Sequence, residues 1–567
     1  MQAVLDWSHD LLSANERAVL ERISVFRGSF TLESAVSIAS DDALAPADAF
    51  ESVSGLVAKS LVSVDTSGDR AYFRLLETTR DYASNRLAGT GQAVLTRRRH
   101  AVHLHELLLE AEDEWHHAVA SVWRCRHGRY VDDVRAALDW ALSPEGNIEL
   151  GIAITVRSAL LLFEVARVEE SVRYVETAVQ ALRSSSADPN LEFDLKIVHG
   201  LGLHYTHGIP AATQRAFERA LAIARERSDS RQLALAVSVN WLSAYVRGEP
   251  GEMLDLSKQY EAVTTGNEDP AATVMHERMQ VATLHLLGNQ RGAALCAERC
   301  LAAPNAARPA FFSGAHIDHQ IAVETILARV LWLQGLSDQA EAMAAQALER
   351  AVRDGQTVSL AYVLAWAACP IALWTGSEDL ARDRIALLAR LTREHALVIW
   401  RGHGLAFESL QAWRDGGHAG EPVLPHGIDR RILCLGDVLA TLHPALAGDE
   451  SFSRGDSGQA GWCQAELLRV RGEFASDADP EAAEALFWRS LQQARRDGTL
   501  SWELRTSTSL GRLWMAQGRW HAALELLDAM VCRIKEGHST RDVREALELR
   551  DVLQDVIAAS SRASVAA

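Results

Sequence analysis

The stretch GLSDQAEAMAAQAL, residues 335–348, contains the pattern that decides the fold. Gly335 ends one apolar segment, and five residues later Ala340 begins a stripe of small side chains that continues at Ala344 and Ala347. The i, i+4, i+7 spacing places these side chains on one face of a helix. The pattern therefore predicts a turn at the glycine, followed by a helix that packs closely against the preceding one.

The same arrangement recurs along the chain, with a small residue at the fifth position after most of the glycines. The glycines are Gly208, Gly248, Gly288, Gly335, Gly376 and Gly518, of which the first three are 40 residues apart. One helix pair of this kind cannot bury its apolar face alone, so successive pairs must stack into a superhelix with a concave and a convex side. The sequence therefore predicts an all-α fold, an α-solenoid of antiparallel helix pairs.

The repeated unit resembles the second helix of tetratricopeptide (TPR) repeats, although a period near 40 exceeds that family's usual period of about 34 residues. Glycines, prolines and the polar segment SFSRGDSG (451–458) interrupt the rhythm once. The predicted order is linking helices at 91–147, TPR-like repeats at 148–414, a degenerate repeat with a mobile loop at 415–456, further repeats at 457–555 and a disordered tail at 556–567.

The first ninety residues have a different pattern, three helices followed by a short β-hairpin, which is the order of a winged helix. The predicted helices are Ala14–Val25, Leu32–Ala39 and Ala47–Lys59, the strands are Leu61–Val64 and Ala71–Leu75 around a turn at Thr66–Asp69, and a last helix is Glu77–Leu87. DNA reading requires Arg, Lys, Asn or Gln on the third helix. That helix instead carries Asp48, Glu51 and a single Lys59, so we expect a packing or lid domain and no direct DNA binding.

Composition limits the classes of function that remain. The 567 residues carry a net charge of −18, which opposes nucleic-acid binding by the chain as a whole. Seven cysteines without a CxxC pair indicate free thiols in a reducing compartment, most simply the cytoplasm. The sequence contains no run of about 18 uninterrupted apolar residues, and Asp6 and Asp10 lie where a signal peptide would be basic and apolar. The chain is therefore predicted to be neither exported nor membrane-spanning.

Both ends of the sequence resemble one family. FRLLETTRDYASNRL (73–87), together with residues 5–35, is similar to the winged-helix domain that follows the nucleotide-binding domain in bacterial STAND-type regulators, the AfsR-like and MalT-like predicted ATPases. Residues 461–474 and 495–527 resemble the terminal TPR-like repeats of the same proteins. The resemblance implies the sensing part of a regulator whose other parts are a P-loop ATPase and an effector domain.

Two departures from that family change the expected chemistry. No G-x-x-x-x-G-K-[ST] motif occurs in the sequence, so the phosphate-binding loop is missing. The positions that correspond to the family's M-H-D signature read Leu75-Leu76-Glu77, and Leu76 cannot donate a hydrogen bond to a phosphate. We therefore expect no bound cofactor and no transferred site residue. The ATPase would act in trans or be encoded upstream, as in a truncated or split gene or after an internal start codon.

Several local features resemble parts of ligand or metal sites. The run Arg97–Arg99 could bind an anion or a nucleic acid. The favoured interpretation is a solvated helix face or a contact that holds two domains together. Five nearby histidines lack a completing ligand set, so no metal is predicted: His100, His103, His105, His116 and His117. Cys296 and Cys300 share a helix face and are interpreted as core packing.

The fifteen tryptophans are interpreted mainly as packing between repeats, with a minority that could stack a planar ligand. The sequence contains no G-x-S-x-G motif, so no catalytic residue is predicted and the chain is not expected to be an enzyme.

Three functions remain. The first is a non-catalytic sensor or protein-interaction module of a signal-transduction or transcription regulator, which binds a partner protein or an inducer on its repeats. The second is a free-standing scaffold with a peptide or protein in its concave groove. The third is a receptor in which a small-molecule inducer bridges repeats. The sequence leaves open the oligomeric state and the face that binds.

Overall fold

The computed structural model describes the chain except for residues 1, 68–69, 116–117, 119, 183–188, 209, 267–268, 303–316, 396, 418–419 and 567. The described residues form two compact units, residues 1–202 and residues 203–567. Apart from one two-stranded hairpin and the connecting loops, this part of the chain is helical. The predicted fold class, a helical solenoid preceded by a winged helix, is confirmed.

The winged helix forms as predicted, with a preceding helix α1 that the sequence analysis did not anticipate. Its elements are α1 (Gln2–Asp10), α2 (Ala14–Ile23), α3 (Leu32–Ala39), α4 (Pro46–Ala58), β1 (Val62–Asp65), β2 (Tyr72–Leu75) and α5 (Glu77–Gly89). The strands are antiparallel, with Val62 opposite Leu75, and Phe30 adds a backbone bridge to Phe73. Residues 68–69 of the predicted turn lie outside the described part of the chain.

Local chemistry explains where these helices begin. Ser13 and Glu16 form a capping box at α2, with each side chain bonded to the other residue's backbone N–H. Pro46 occupies the first turn of α4, where no intrahelical N–H is required.

Five further helices and the start of a sixth complete the first unit. They are α6 (Ala93–Trp115), α7 (Ala120–His127), α8 (Val131–Ala141), α9 (Ile148–Glu164), α10 (Val168–Leu182) and α11 (Pro189–His207). Asp133 of α8 is buried and accepts hydrogen bonds from the backbone N–H groups of Arg27 and Gly28, at 2.7 and 3.2 Å. The linking helices thereby fix the loop between α2 and α3.

Residues 203–415, which we call the first array, consist of helix pairs. Their helices are α12 (Ala211–Arg227), α13 (Ser230–Arg247), α14 (Pro250–Thr264), α15 (Pro270–Leu286), α16 (Gln290–Ala302), α17 (His319–Leu333), α18 (Ser337–Arg353), α19 (Thr357–Val363), α20 (Cys369–Thr375), α21 (Glu378–Glu394) and α22 (Val398–Asp415). All six glycines of the repeat pattern have positive φ, between 68° and 87°. This conformation favours glycine, so the predicted turns are confirmed.

Residues 432–566, which we call the second array, contain seven helices. These are α23 (Leu435–Leu442), α24 (Asp449–Asp456), α25 (Gln464–Ala475), α26 (Pro480–Asp497), α27 (Leu500–Ala516), α28 (Trp520–Val531) and α29 (Arg541–Ala566). The structure differs from the sequence prediction in two places. Helix α24 forms at the polar segment of the predicted degenerate repeat, where Arg454 contacts Asp437 at 3.1 Å and the carbonyl of Gly248 at 2.8 Å. Helix α29 continues to Ala566, through the segment expected to be disordered.

By length and composition, one helical run among the described residues could cross a membrane. This run, Thr357–Thr375, has no charged residue and comprises α19, a five-residue π-helical segment and α20. Within the chain, 83% of its most apolar window is buried, as in the core helix of a folded protein.

Candidate ligand-binding site between the two arrays

The turn glycines of the first array also form its contact with the second array. A Cβ atom added at four of them would lie between 2.6 and 3.0 Å from an atom of the second array. The contacts are Gly248 with Cys434, Gly288 with Gly461, Gly335 with Leu500 and Gly376 with Arg541. The residue numbers of the contacting positions increase in the same order in both arrays. Successive repeats of the first array therefore pack against successive segments of the second array.

This packing buries the first helices of two repeats almost completely. Every residue from 321 to 330 in α17 and from 361 to 375 across α19 and α20 is buried. In this structure the chain's own residues cover them.

A proline creates the most unusual polar contact at the centre. Pro370 has no N–H, so the carbonyl of Trp366 loses its helical partner, and the backbone widens into the π-helical segment Leu364–Ala368. Arg329 of α17 donates to that carbonyl from Nη1 at 2.8 Å. Its guanidinium carbon also lies 4.1 Å from the ring centre of Trp366 and 4.4 Å from that of Trp462. Cation–π contact thus joins the two arrays.

The Arg329 guanidinium is completely buried, and its partners are neutral. Nε lies 3.1 Å from Nε2 of His285, whose Nδ1 lies 2.8 Å from Oε1 of Gln290. This geometry assigns the ring proton to Nδ1, which leaves Nε2 as acceptor. Burial and the charge of Arg329 lower the pKa of His285 to about 3. Burial also lowers the pKa of Arg329 to about 10.

A charged network lies beside this aromatic centre. Glu466 is fully buried and accepts two hydrogen bonds from Arg469, both at 2.8 Å, and one from Arg505 at 3.0 Å. Burial alone would raise the pKa of Glu466, but the two arginines lower it below its ordinary value. Arg505 also donates to Asp542 at 2.7 Å. Glu466 is therefore held by three charge-assisted bonds and Asp542 by one.

A cavity of about 190 Å³ opens next to this network. The first array contributes Leu373, Trp374 and Arg414, and the second array contributes most of the remaining wall. Its polar lining includes five arginines, three carboxylates, three hydroxyl groups and a histidine: Arg414, Arg469, Arg505, Arg512, Arg541, Glu473, Asp542, Glu545, Thr441, Thr508, Ser509 and His443. We call this space the arginine pocket.

Arg414 is the least satisfied cation of the arginine pocket. The residue is only 8% exposed, and its Nη1 makes two long contacts of 3.5 Å, to the Leu373 carbonyl and to Glu378. Glu378 is shared with Arg541, which lies closer at 2.7 Å. Among the residues that the structure describes, Nε and Nη2 of Arg414 have no acceptor. Burial, together with the positive charges of Arg541 and Arg505 and against the opposing charge of Glu378, lowers the pKa of Arg414 to about 10.

A larger cavity of about 470 Å³ lies elsewhere between the arrays, at the Gly288–Gly461 contact. Its walls are largely glycine backbone and polar side chains, including Gln464 and Asp497. Burial raises the pKa of the Asp497 carboxyl.

The third helix of the winged helix presents an acidic surface. Asp48 and Glu51 are exposed, and Phe50 between them is 50% exposed. Lys59 is held by Glu16, with Nζ 2.6 Å from both carboxylate oxygens. Leu76, at the position of the signature histidine, is exposed immediately before α5. This face therefore offers negative charge and apolar area where phosphate contact would require positive charge.

The histidines and arginines singled out in the sequence are distributed among separate contacts. Arg97 and Arg98 are exposed, whereas Arg99 lies 3.8 Å from Asp41 of the winged helix. His100 lies 3.2 Å from Asp133, and His103 lies 2.9 Å from the Ser34 hydroxyl. His105 is half-buried, and the pair at 116–117 lies outside the described residues. Over the described ranges, no three His, Cys, Asp or Glu side chains are grouped to hold a metal ion.

The cysteine and tryptophan interpretations agree with the structure. Cys296 and Cys300 are buried on the small-residue face of α16, and burial raises both thiol pKa values, that of Cys300 to about 11. Five tryptophans at the centre of the two arrays are at most 2% exposed: Trp332, Trp366, Trp374, Trp462 and Trp502. All of them except Trp366 pack against one another, and Trp366 contacts Tyr245 and Arg329. The sequence analysis missed the arginine pocket, because nothing in the sequence brings residues 414, 505 and 541 together.

Comparison with known proteins places regulators among the similar sequences. A winged helix-turn-helix domain model matches residues 12–88. A Mycobacterium tuberculosis protein named as an HTH-type transcriptional regulator is 28% identical over 185 residues, which are 32% of this chain and 20% of that protein. An uncharacterized M. tuberculosis protein is 38% identical over 103 residues, 18% of this chain and 26% of its own length. The chain thus matches about a fifth to a quarter of the length of these relatives.

Among solved structures, a STAND protein with a tetratricopeptide repeat sensor from Pyrococcus horikoshii is 12% identical and has a TM-score of 0.38. The alignment covers 81% of this chain and 67% of that one. A Rap protein complexed with competence and sporulation factor has the same TM-score at 10% identity, with 70% and 99% coverage. Scores this low do not assign the chain to either group.

Proposed function

We propose that this chain is the sensing and protein-interaction module of a signal-transduction or transcription regulator. The AfsR-like or MalT-like type of STAND regulator is the specific form proposed. The observation that carries the proposal is the acidic third helix (α4), with exposed Phe50, in a domain that matches a winged helix-turn-helix model. Such a helix is suited to a protein contact and not to a DNA groove. The helical arrays then supply the surface for a partner protein or inducer.

In this proposal, sensing belongs to this chain, and ATP hydrolysis and the regulatory output belong to other domains. An ATPase domain and an effector domain would come from another polypeptide or from a longer form of this one, and this chain would carry no catalytic activity. With its free thiols and anionic surface, the module would act in the cytoplasm.

Two measurements test this function on the purified chain. Fluorescence anisotropy with duplex DNA should show no saturable binding at about 50 mM salt, where phosphate contacts are strong. Co-expression with an affinity-tagged P-loop protein encoded by the adjacent reading frame should recover a stoichiometric complex, and Phe50→Asp should weaken it while Val94→Asp, also at an exposed apolar residue, does not. Nucleotide hydrolysis by the chain alone, or tight DNA binding, would contradict the proposal.

A small-molecule receptor is the second candidate, and the arginine pocket favours it. Groups from both arrays line that cavity, so an occupant would contact both at once. An inducer that binds the packed arrays more tightly than separated arrays would therefore shift the equilibrium toward the packed state.

A further inference from the structure

The arginine pocket combines a size limit with a charge preference. Its volume is about 190 Å³. Only a small ligand fits such a space, well below the roughly 300 Å³ at which pockets for drug-sized molecules begin. Trp374, Leu442 and Pro444 provide an apolar part of the wall, so a carbon skeleton has a place as well as a charged group.

The distribution of cations indicates the charge of the ligand. Arg414 and Arg541 share the single carboxylate of Glu378, and Arg414 holds it only at 3.5 Å. Arg505 directs its bonds to Asp542, Glu466 and the Thr441 carbonyl. One positive charge at the Arg414 end of the pocket therefore lacks a close carboxylate, and Arg414 retains two N–H donor positions.

We propose that the arginine pocket binds a small organic carboxylate, with the carboxylate on Arg414 and Arg541 and the carbon skeleton against Trp374 and Pro444. The planar guanidinium fork matches a carboxylate in bidentate geometry. This inference deepens the proposed sensing role, on which it rests, by naming the class of inducer. Arg414 belongs to the first array and Arg541 to the second, and the two share only the carboxylate of Glu378. The ligand carboxylate would supply a second negative charge between them and so join the arrays.

Isothermal titration calorimetry and thermal denaturation of the full chain test the site. Propionate and succinate are the carboxylate probes, inorganic phosphate is the competing oxyanion, and sodium chloride matches the ionic strength because salt alone screens exposed charge. We expect saturable binding of at least one carboxylate at one site per chain, accompanied by a rise in Tm. Binding of phosphate in the absence of carboxylate binding, or no saturable binding at all, would overturn the proposal.

Three variants locate the site. Arg414→Gln and Arg541→Gln should each weaken carboxylate binding by at least about tenfold. Arg512→Gln is the matched control, because Arg512 lines the same cavity but is half exposed and paired with Glu545 at 2.7 Å; its Kd should change less than about twofold. If Arg414→Gln does not fold, Arg541→Gln alone decides, since one third of that side chain is exposed. Unchanged affinity in Arg541→Gln would refute the assignment.

The partner experiment separates this inference from the proposed function. Carboxylate binding that leaves the capture of the P-loop partner unchanged supports the site and counts against the sensing role. Capture of the partner without any carboxylate binding supports an interaction module and refutes this ligand assignment.

Discussion

The winged helix and the contact between the two arrays are stabilised by different kinds of interior. The winged helix has one apolar cluster that includes Val19, Ile23, Phe30 and Val53. The contact between the arrays instead encloses charged groups, such as Arg329 and the network around Glu466. An apolar core tolerates substitutions that conserve volume, whereas a buried charge depends on each of its partners. We therefore expect single polar substitutions to affect the arrays far more than the winged helix.

The largest expected effect of a single substitution at neutral pH is at Glu466. Glu466→Ala leaves Arg469 and Arg505 without their shared carboxylate and should lower the free energy of unfolding by about 3–5 kcal/mol. Glu545→Ala is the matched control, because the Arg512–Glu545 pair belongs to the same pocket but is nearly half exposed and should cost less than about 1 kcal/mol. Urea denaturation measures both values. Equal losses of unfolding free energy in Glu466→Ala and Glu545→Ala would mean that burial does not make the Glu466 network more important for stability than an exposed ion pair.

The next effect concerns the turn glycines. Gly288→Ala places a side chain at φ +87° and 2.9 Å from the Gly461 carbonyl oxygen, a backbone atom that cannot rotate away. Gly518→Ala has a comparable φ of +76° with no atom within 4 Å of the added carbon. The left-handed conformation should cost about 1–2 kcal/mol in both, and overpacking about 1–3 kcal/mol more at position 288. The difference in Tm between Gly288→Ala and Gly518→Ala measures the cost of overpacking at the contact between the arrays. Equal Tm values would show that the second array moves to accommodate the added carbon.

The sequence predicted the elements that depend on neighbouring residues. The turns at Gly208 through Gly376 and the order of the winged helix follow from local spacing and are present in the structure. The packing of the second array against the first could not be predicted, because it joins residues more than 150 positions apart, such as Gly376 and Arg541. The polar sequence of α24 predicts a loop, because nothing in it indicates that the Gly248 carbonyl accepts a bond from Arg454.

The pH dependence of stability provides an intermediate test of the comparison. Burial lowers the pKa of His285 and His403 to about 3 and that of His204 to about 4, all within residues 203–567. These histidines are neutral in the folded chain, and unfolding lets them bind protons below their ordinary pKa near 6.5. Stability should therefore fall as pH decreases from about 6.5 toward 4, by up to about 1.4 kcal/mol per pH unit for each histidine.

Urea titrations at several pH values measure this slope. His403→Gln should flatten it by about one proton, whereas the exposed His426→Gln should leave it unchanged. An equal slope in the wild-type chain and in His403→Gln would refute the assignment of a buried neutral histidine at 403.

The smallest expected effect is local to the winged helix. Ser13→Ala removes the hydroxyl that accepts from the Glu16 N–H at 3.2 Å and should weaken α2 by about 1 kcal/mol. Native-state hydrogen exchange should detect this as faster exchange of the first amides of α2, with unchanged exchange in α25 and α27. The control Ser54→Ala alters an exposed hydroxyl within α4, bonded to the Phe50 carbonyl, and should change stability by less than about 0.5 kcal/mol. If Ser13→Ala accelerated exchange throughout the arrays, the winged helix and the arrays would unfold as one cooperative unit, and the difference between their interiors would not set separate stabilities.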